Sequence, residues 1–81
     1  MEKYVYDYTE LEERMKNRKY SQSTLSDEVN MARNSLNLKL NNKGNFTQKE
    51  IKRIAEKLEI PMTQIGKYFF TPVVQKTEQT T

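Results

Sequence analysis

The chain has 81 residues, of which 31% are charged, and 14 Lys and Arg residues outweigh 11 Asp and Glu residues to give a formal net charge of +3. A chain of this length accommodates one small domain. Because it contains neither Cys nor His, disulfides, thiolate and imidazole catalysis and the usual zinc sites are excluded, and we expect no enzyme, no metal ion and no cofactor.

The charges are unevenly distributed along the chain. Residues 1–13 carry one basic and five acidic side chains, residues 14–53 carry ten basic and three acidic ones, and the remainder balances. A basic middle block of this kind suits neutralisation of nucleic-acid phosphates. From charge alone, a solvated surface of Lys and Arg explains the block equally well.

The first predicted helix follows an aromatic segment. Tyrosines alternate in residues 4–8, as in a short strand or a docking arm, and Thr9 with Glu12 forms a T-x-x-E pattern typical of a helix start. Leu11 and Met15 then provide the buried stripe of this helix.

Residues 21–41 predict two short helices joined by a tight turn. Ser21 is a good N-cap, and Leu25 and Val29 repeat at the i, i+4 spacing of one helix face. Asn30 stands where the chain must turn and tolerates a positive φ. The next helix is expected from about Arg33 to Leu40, with Leu36 and Leu40 as its buried pair.

The rest of the chain predicts a closing helix and a tail. Thr47 and Glu50 form a second T-x-x-E pattern before a helix whose apolar residues recur at the 3.6-residue period. Pro61 ends that helix, and residues 63–67 predict one more helical turn. We therefore predict one helix-turn-helix domain over residues 1–70 and a largely disordered tail over residues 71–81.

The outer face of the helix that begins at Arg33 carries side chains that could contact DNA bases. If Leu36 and Leu40 face the core, Arg33, Asn34, Asn37 and Leu38 face outwards. Arg pairs with guanine, Asn pairs with adenine, and an exposed leucine suits a thymine methyl group. The alternative is that Asn tolerates helix ends and that an isolated surface leucine is ordinary.

Phosphate contacts are expected around this face, where they would fix register without reading sequence. For each residue, a helix cap or a solvated side chain is an equal alternative. The candidates are Ser21, Gln22, Ser35, Lys39, Asn42, Lys43, Thr47 and Lys49.

The pattern Gln22-x-x-Leu25-Ser26-x-x-x-Asn30-Met31, followed by Leu36 and by residues 39–43, resembles the lambda-repressor-like and Cro family of phage regulators. The whole chain is similar to the small Cro-like proteins of phages of Gram-positive bacteria. This resemblance implies an all-α, compact five-helix lambda-repressor-like domain that binds double-stranded operator DNA as a homodimer.

The resemblance also implies individual roles. Arg33, Asn34, Asn37 and Leu38 would read bases, and Gln22 would support the start of the recognition helix. Two positions depart from the family pattern, since Asn30 replaces the usual Gly and Ala32 replaces the usual Ser, Thr or Asp cap. A missing cap costs about 1 kcal/mol.

The leading hypothesis is therefore a sequence-specific transcriptional regulator in the cytoplasm of the bacterial host, associated with the nucleoid. No apolar run of about 20 residues could cross a membrane, and no leader pattern is present. The alternative is a protein-interaction module, an antirepressor or modulator that keeps the helix-turn-helix fold. The aromatic ends, residues 4–8 and 68–74, could pack in the core, form a dimer seam or dock a partner.

Overall fold

Five short α-helices follow one another in the computed structural model, which describes residues 5–73. They are α1 (Thr9–Asn17), α2 (Gln22–Glu28), α3 (Arg33–Leu40), α4 (Gln48–Leu58) and α5 (Ile65–Phe69). A 3₁₀ turn over Met62–Gln64 leads into α5, so the helical turn predicted over residues 63–67 is longer than expected. The predicted all-α, five-helix architecture is confirmed.

The core forms because each helix buries one narrow apolar stripe, since helices this short are marginal alone in water. The predicted pairs on α1, α2 and α3 are all buried, and α4 closes the core with Ile54, Ala55 and Leu58. Ile60 and the aromatic side chains Tyr8, Tyr68 and Phe69 complete it.

The start of α1 differs from the prediction. Thr9 is the first helical residue rather than the cap, and Tyr8 at the N-cap makes no side-chain cap bond. Asp7 Oδ1 instead accepts hydrogen bonds from Thr9 N at 2.9 Å and Thr9 Oγ1 at 2.6 Å. These bonds, the side-chain one first, lower the pKa of Asp7 below its ordinary value. A carboxylate two residues earlier therefore occupies the acceptor role expected of the threonine.

The turn between α2 and α3 follows the prediction. Ser21 caps α2 by a reciprocal pair of bonds with Thr24, and Asn30 adopts a left-handed φ of 60°. Met31 N donates to Ser26 O at 2.9 Å and closes the end of α2. This geometry lets α3 begin at Arg33 and pack across α2.

Helix α4 is held at both ends. Thr47 Oγ1 accepts from Glu50 N at 3.1 Å, and Glu50 Oε1 accepts from Thr47 N at 2.9 Å, which confirms the predicted capping box. At the other end, Arg14 donates to Leu58 O at 2.8 Å and to Glu59 O at 2.6 Å. The two otherwise unpaired carbonyls of the helix end are thereby satisfied.

The two ends of the described chain lie side by side. Asp7 N donates to Thr71 O at 2.7 Å, Val73 N donates to Val5 O at 2.9 Å, and Tyr6 and Pro72 form an antiparallel bridge. Residues 71–73 of the predicted tail thus pair with the opening segment. Residues 74–81, the rest of the tail expected to be disordered, lie outside the described residues.

Aromatic side chains near both ends of the described chain contact Phe46, which lies in the loop between α3 and α4. Phe46 makes edge-to-face contacts with Tyr8 and with Phe69, each at a centroid distance of 5.5 Å. Such contacts stabilise beyond the apolar area that they bury. Tyr8 and Phe69 therefore serve as core residues in this domain.

Candidate nucleic-acid interface

The exposed face of α3 is set by the burial of its opposite face. Leu36 is fully buried and Leu40 is 6% exposed, whereas Leu38 remains 42% exposed. Arg33, Asn34 and Asn37 are exposed on the same side as Leu38. The structure thus brings together the four predicted base-reading side chains on one solvent face, which we call the α3 face.

The α3 face has no acidic side chain of its own, since α3 reads RNSLNLKL. In the nearby turn of α2, Glu28 forms an ion pair with Lys57 of α4, with Nζ and Oε1 3.1 Å apart. A face of cationic, amide and apolar groups offers donors to a polyanion and creates little like-charge repulsion.

Asn37 is fixed by its neighbours. Its Nδ2 donates to Oε1 of Gln22 at 3.1 Å, and its backbone oxygen accepts from Asn41 Nδ2 at 2.8 Å. The bond to Gln22 uses one amide N–H and leaves Oδ1 and the second N–H of Asn37 for a base edge. Gln22 therefore contacts the helix that it was expected to support.

The first turn of α3 lacks a side-chain cap. Ala32 at the N-cap makes no side-chain hydrogen bond, so the first backbone N–H groups of α3 are not capped from that residue. The missing cap follows from the alanine noted in the sequence. Such N–H groups at the positive end of a helix dipole suit an anionic partner.

Six of the eight predicted phosphate ligands lie around the α3 face or on the adjoining helix starts. Ser21 and Thr47 are exposed N-caps, Gln22 and Ser35 are half-buried, and Lys43 and Lys49 are exposed. The N-cap role of the two hydroxyl residues is compatible with a phosphate contact, because an N-cap lies beside open backbone donors.

Lys39, another predicted phosphate ligand, forms an ion pair within the domain. Its Nζ lies 2.7 Å from both Oε1 and Oε2 of Glu50, and both side chains are only 18% exposed. Burial tends to raise the pKa of Glu50, but hydrogen bonds from Lys39 and Thr47 and the Lys39 charge outweigh it and lower the pKa. Because its ammonium is engaged within the domain, we leave Lys39 out of the interface.

Asn42 is likewise engaged within the domain. Its Oδ1 accepts from Tyr6 N and its Nδ2 donates to Tyr6 O, both at 2.9 Å, and its φ is 61°. Both ends of the amide are therefore bonded to the opening segment. Asn42 thus clasps the α3–α4 loop to residue 6, and its predicted phosphate contact would compete with these bonds.

Neither contact had a clear local signal in the sequence. Lys39 and Glu50 are eleven positions apart, and Asn42 and Tyr6 are thirty-six apart. Asparagine is a residue that tolerates a left-handed backbone, but only the tertiary fold identifies the partner of its side chain.

Two further classes of site are absent from the part of the chain that the structure describes. Within residues 5–73, no group of three or more acidic side chains could hold a metal ion. Among the same residues, no helix has the length and apolar character needed to cross a membrane.

Comparison with solved structures finds the fold in a bacteriophage protein. The chain is similar to the solution structure of the modulator of repression (MOR) of the temperate bacteriophage TP901-1 from Lactococcus lactis, with 29% identity and a TM-score of 0.70. The match covers 80% of this chain and 88% of the other. No match is found among curated proteins. Residues 4–72 match the family described as "Protein of unknown function (DUF739)", and the chain belongs to that family.

Proposed function

We propose that this protein is a sequence-specific DNA-binding regulator of a bacteriophage, which binds operator DNA through the α3 face. The observation that supports this function is the projection of Arg33, Asn34, Asn37 and Leu38 from a helix whose opposite side is buried. A helix presented in this way after a tight turn suits the major groove.

Each side chain of the α3 face has a matching base feature. The guanidinium of Arg33 suits the O6 and N7 acceptors of guanine, and the amides of Asn34 and Asn37 suit N6 and N7 of adenine. The Leu38 side chain suits a thymine methyl group. Gln22 would hold Asn37 in one orientation through their 3.1 Å bond, which lowers the entropy cost of reading a base.

Exposed cations flank the base-reading residues. Lys43 follows α3, and Lys49 lies in the first turn of α4 beside the N-cap Thr47. Contacts from these positions and from Ser21 would fix the orientation of the domain on the duplex. In this function the protein is associated with DNA in the host cell.

The comparisons support a regulatory role in a phage. The solved structure that this chain resembles is named a modulator of repression and comes from a temperate bacteriophage. That similarity supports the class of regulator and leaves the choice between a DNA and a protein target to the geometry of the α3 face.

The same name favours a second candidate, a modulator that binds a repressor protein. The specific observation is Leu38, which is 42% exposed at the centre of a face of amides. An apolar centre with a polar rim is also the usual anatomy of a protein interface. In this case the target would be a repressor of the same phage.

Selection of duplexes from a random pool tests the first candidate. We expect the wild type to enrich one motif, and Asn37→Ala to lose about 1–3 kcal/mol of binding at one base position. Asn17→Ala, at the exposed end of α1, is the matched control and should bind like the wild type. Circular dichroism should show equal helix content in all three proteins.

The opposite outcome identifies the second candidate. If no duplex is enriched, and Asn37→Ala or Leu38→Ala instead abolishes binding to the phage repressor, then the α3 face binds protein. Binding of neither target would contradict both candidates.

A further inference from the structure

A groove walled by aromatic side chains lies between the opening segment, the α3–α4 loop and the end of α5. Its volume is about 650 Å³, and small-molecule pockets in proteins measure roughly 300–1,000 Å³. The groove contains none of the four base-reading residues of the α3 face. We call it the aromatic groove, after the five rings that line it: Tyr6, Tyr8, Phe46, Phe69 and Phe70.

The five rings form a connected and preformed wall. Tyr6 contacts Tyr8 at a centroid distance of 6.3 Å and Phe70 at 5.8 Å, and Phe46 contacts both Tyr8 and Phe69. Tyr8 and Phe69 are buried, whereas Phe70 is 50% exposed. Rings that are already fixed in place lose less conformational entropy when a ligand packs against them.

The hydroxyl group of Tyr8 has no partner in the described part of the chain. Tyr8 is only 7% exposed, and no group within residues 5–73 forms a hydrogen bond with its hydroxyl. A buried tyrosine O–H usually finds such a partner. Burial and then the neighbouring Tyr6 raise the pKa of Tyr8, so the hydroxyl stays protonated near neutral pH. It is therefore available to donate to a group that enters the groove.

The charges of the aromatic groove favour an anion. Lys43 lines it and is exposed, and no acidic side chain is found among the described residues that line it. Asn45 adds an exposed amide, whereas the amide of Asn42 is already bonded to Tyr6 at both ends. The groove thus combines aromatic surface, a neutral hydroxyl donor and one cation.

We propose that the aromatic groove binds a small planar aromatic acid. Its rings would pack among the five aromatic side chains, a ring acceptor would take the hydrogen bond from the Tyr8 hydroxyl, and its carboxylate would pair with Lys43. A mostly apolar pocket with a few polar groups that fix orientation is the usual form of a small-molecule site. The proposal goes beyond the function of the α3 face and stands whether that face binds DNA or protein.

A titration of the ¹⁵N-labelled full chain with quinoline-6-carboxylate tests the proposal. We expect saturable amide shifts at residues 6–8, 42–46 and 69–70, with a dissociation constant of about 1 mM for a ligand of this size. Naphthalene-2-carboxylate lacks the ring nitrogen and quinoline lacks the carboxylate. Each should therefore bind about threefold or more weakly than quinoline-6-carboxylate.

Two variants assign the polar contacts. Tyr8→Phe removes only the hydroxyl, so it should weaken binding of quinoline-6-carboxylate about threefold or more and leave naphthalene-2-carboxylate unchanged. Lys43→Met should weaken both carboxylates and leave quinoline unchanged. Tyr20→Phe removes a hydroxyl outside the aromatic groove and is the matched control, which should bind all three probes like the wild type.

Folding and binding are measured separately. Because the Tyr8 hydroxyl has no partner among the described residues, Tyr8→Phe should unfold at about the same urea concentration as the wild type. The absence of saturable shifts up to about 10 mM, ten times the expected dissociation constant, would overturn the proposal. So would shifts outside the three segments, equal affinities for the three probes, or a Tyr8→Phe variant that binds quinoline-6-carboxylate like the wild type.

Discussion

Nζ of Lys39 lies 2.7 Å from both carboxylate oxygens of Glu50, and this ion pair joins α3 to the start of α4. Glu50 also exchanges two hydrogen bonds with Thr47 in the capping box at the start of α4. The pair therefore holds the inner side of α3 while the α3 face on the other side stays open. A basic residue that looked like a phosphate ligand in the sequence instead positions the helix that carries the base-reading groups.

Lys39 and Lys43 should behave differently on substitution. Lys39→Met should lower the free energy of unfolding by about 1–3 kcal/mol, because it breaks a charge-assisted hydrogen bond in a half-buried site. Lys43→Met removes an exposed cation and should change stability little. For DNA binding, Lys43→Met should reduce the slope of log affinity against log salt by about 1, whereas Lys39→Met should preserve it. Urea denaturation and salt titration measure the two effects.

Glu50 should make the stability of the domain depend on acid pH. Its folded pKa is lower than the ordinary value of 4.5, so the folded state favours the carboxylate. This stabilisation is complete above the unfolded pKa and is lost as the pH falls from about 4.5 through the folded pKa. Glu50→Gln should be less stable than the wild type at pH 7, and urea denaturation should show that difference shrinking below pH 4.5. A constant difference over that range would contradict the assignment.

Asn42 should contribute to stability through its side-chain amide. Asn42→Gly keeps a residue that tolerates a φ of 61° but removes both bonds to Tyr6. We expect a loss of about 1–3 kcal/mol and faster hydrogen exchange at the Tyr6 amide. Asn45→Gly, at an exposed position in the same loop, is the control and should leave the Tyr6 amide protected. Equal exchange in both variants would argue against the clasp.

Asn30 should be replaceable by glycine but not by alanine. Its φ of 60° lies in the left-handed region, where a Cβ is unfavourable. Glycine adopts this region freely because it has no Cβ, and Asn and Asp tolerate it better than other residues do. Because Asn30 is exposed, Asn30→Ala should cost about 1 kcal/mol from backbone strain alone, whereas Asn30→Gly should be nearly neutral. Thermal denaturation of both variants checks this, and equal melting temperatures would contradict it.

The elements of this fold were predictable where the signal is local. The spacing of Leu25 with Val29 and of Leu36 with Leu40 set the buried faces of α2 and α3, and Ser21 and Thr47 marked two helix starts. Asp7 was missed because a carboxylate two residues before Thr9 can take over the acceptor role of a T-x-x-E pattern. The sequence pattern alone does not show which of two nearby side chains, Asp7 or Thr9, accepts the hydrogen bonds at the start of the helix.

The candidate site was predictable in part for the same reason. The outward positions on α3 follow from helical periodicity once Leu36 and Leu40 are assigned to the core. The partners of Lys39 and Asn42 depend on which distant segments the fold brings together, and spacing within one helix carries no information on that. The sequence leaves open whether the aromatic residues 68–74 pack in the core or lie at the surface, because the exposure of Phe70, like that of Met62, depends on how α5 packs.

The most direct test of the central claim is a map of amide chemical shifts of the ¹⁵N-labelled protein, titrated with duplex DNA from beside its own gene. The account predicts saturable shifts concentrated at residues 33–43 and at the starts of α2 and α4, with α1 unaffected, and weaker shifts from a scrambled duplex. Shifts of equal size from both duplexes, or shifts confined to α1 and α5, would contradict the proposal that α3 reads DNA sequence.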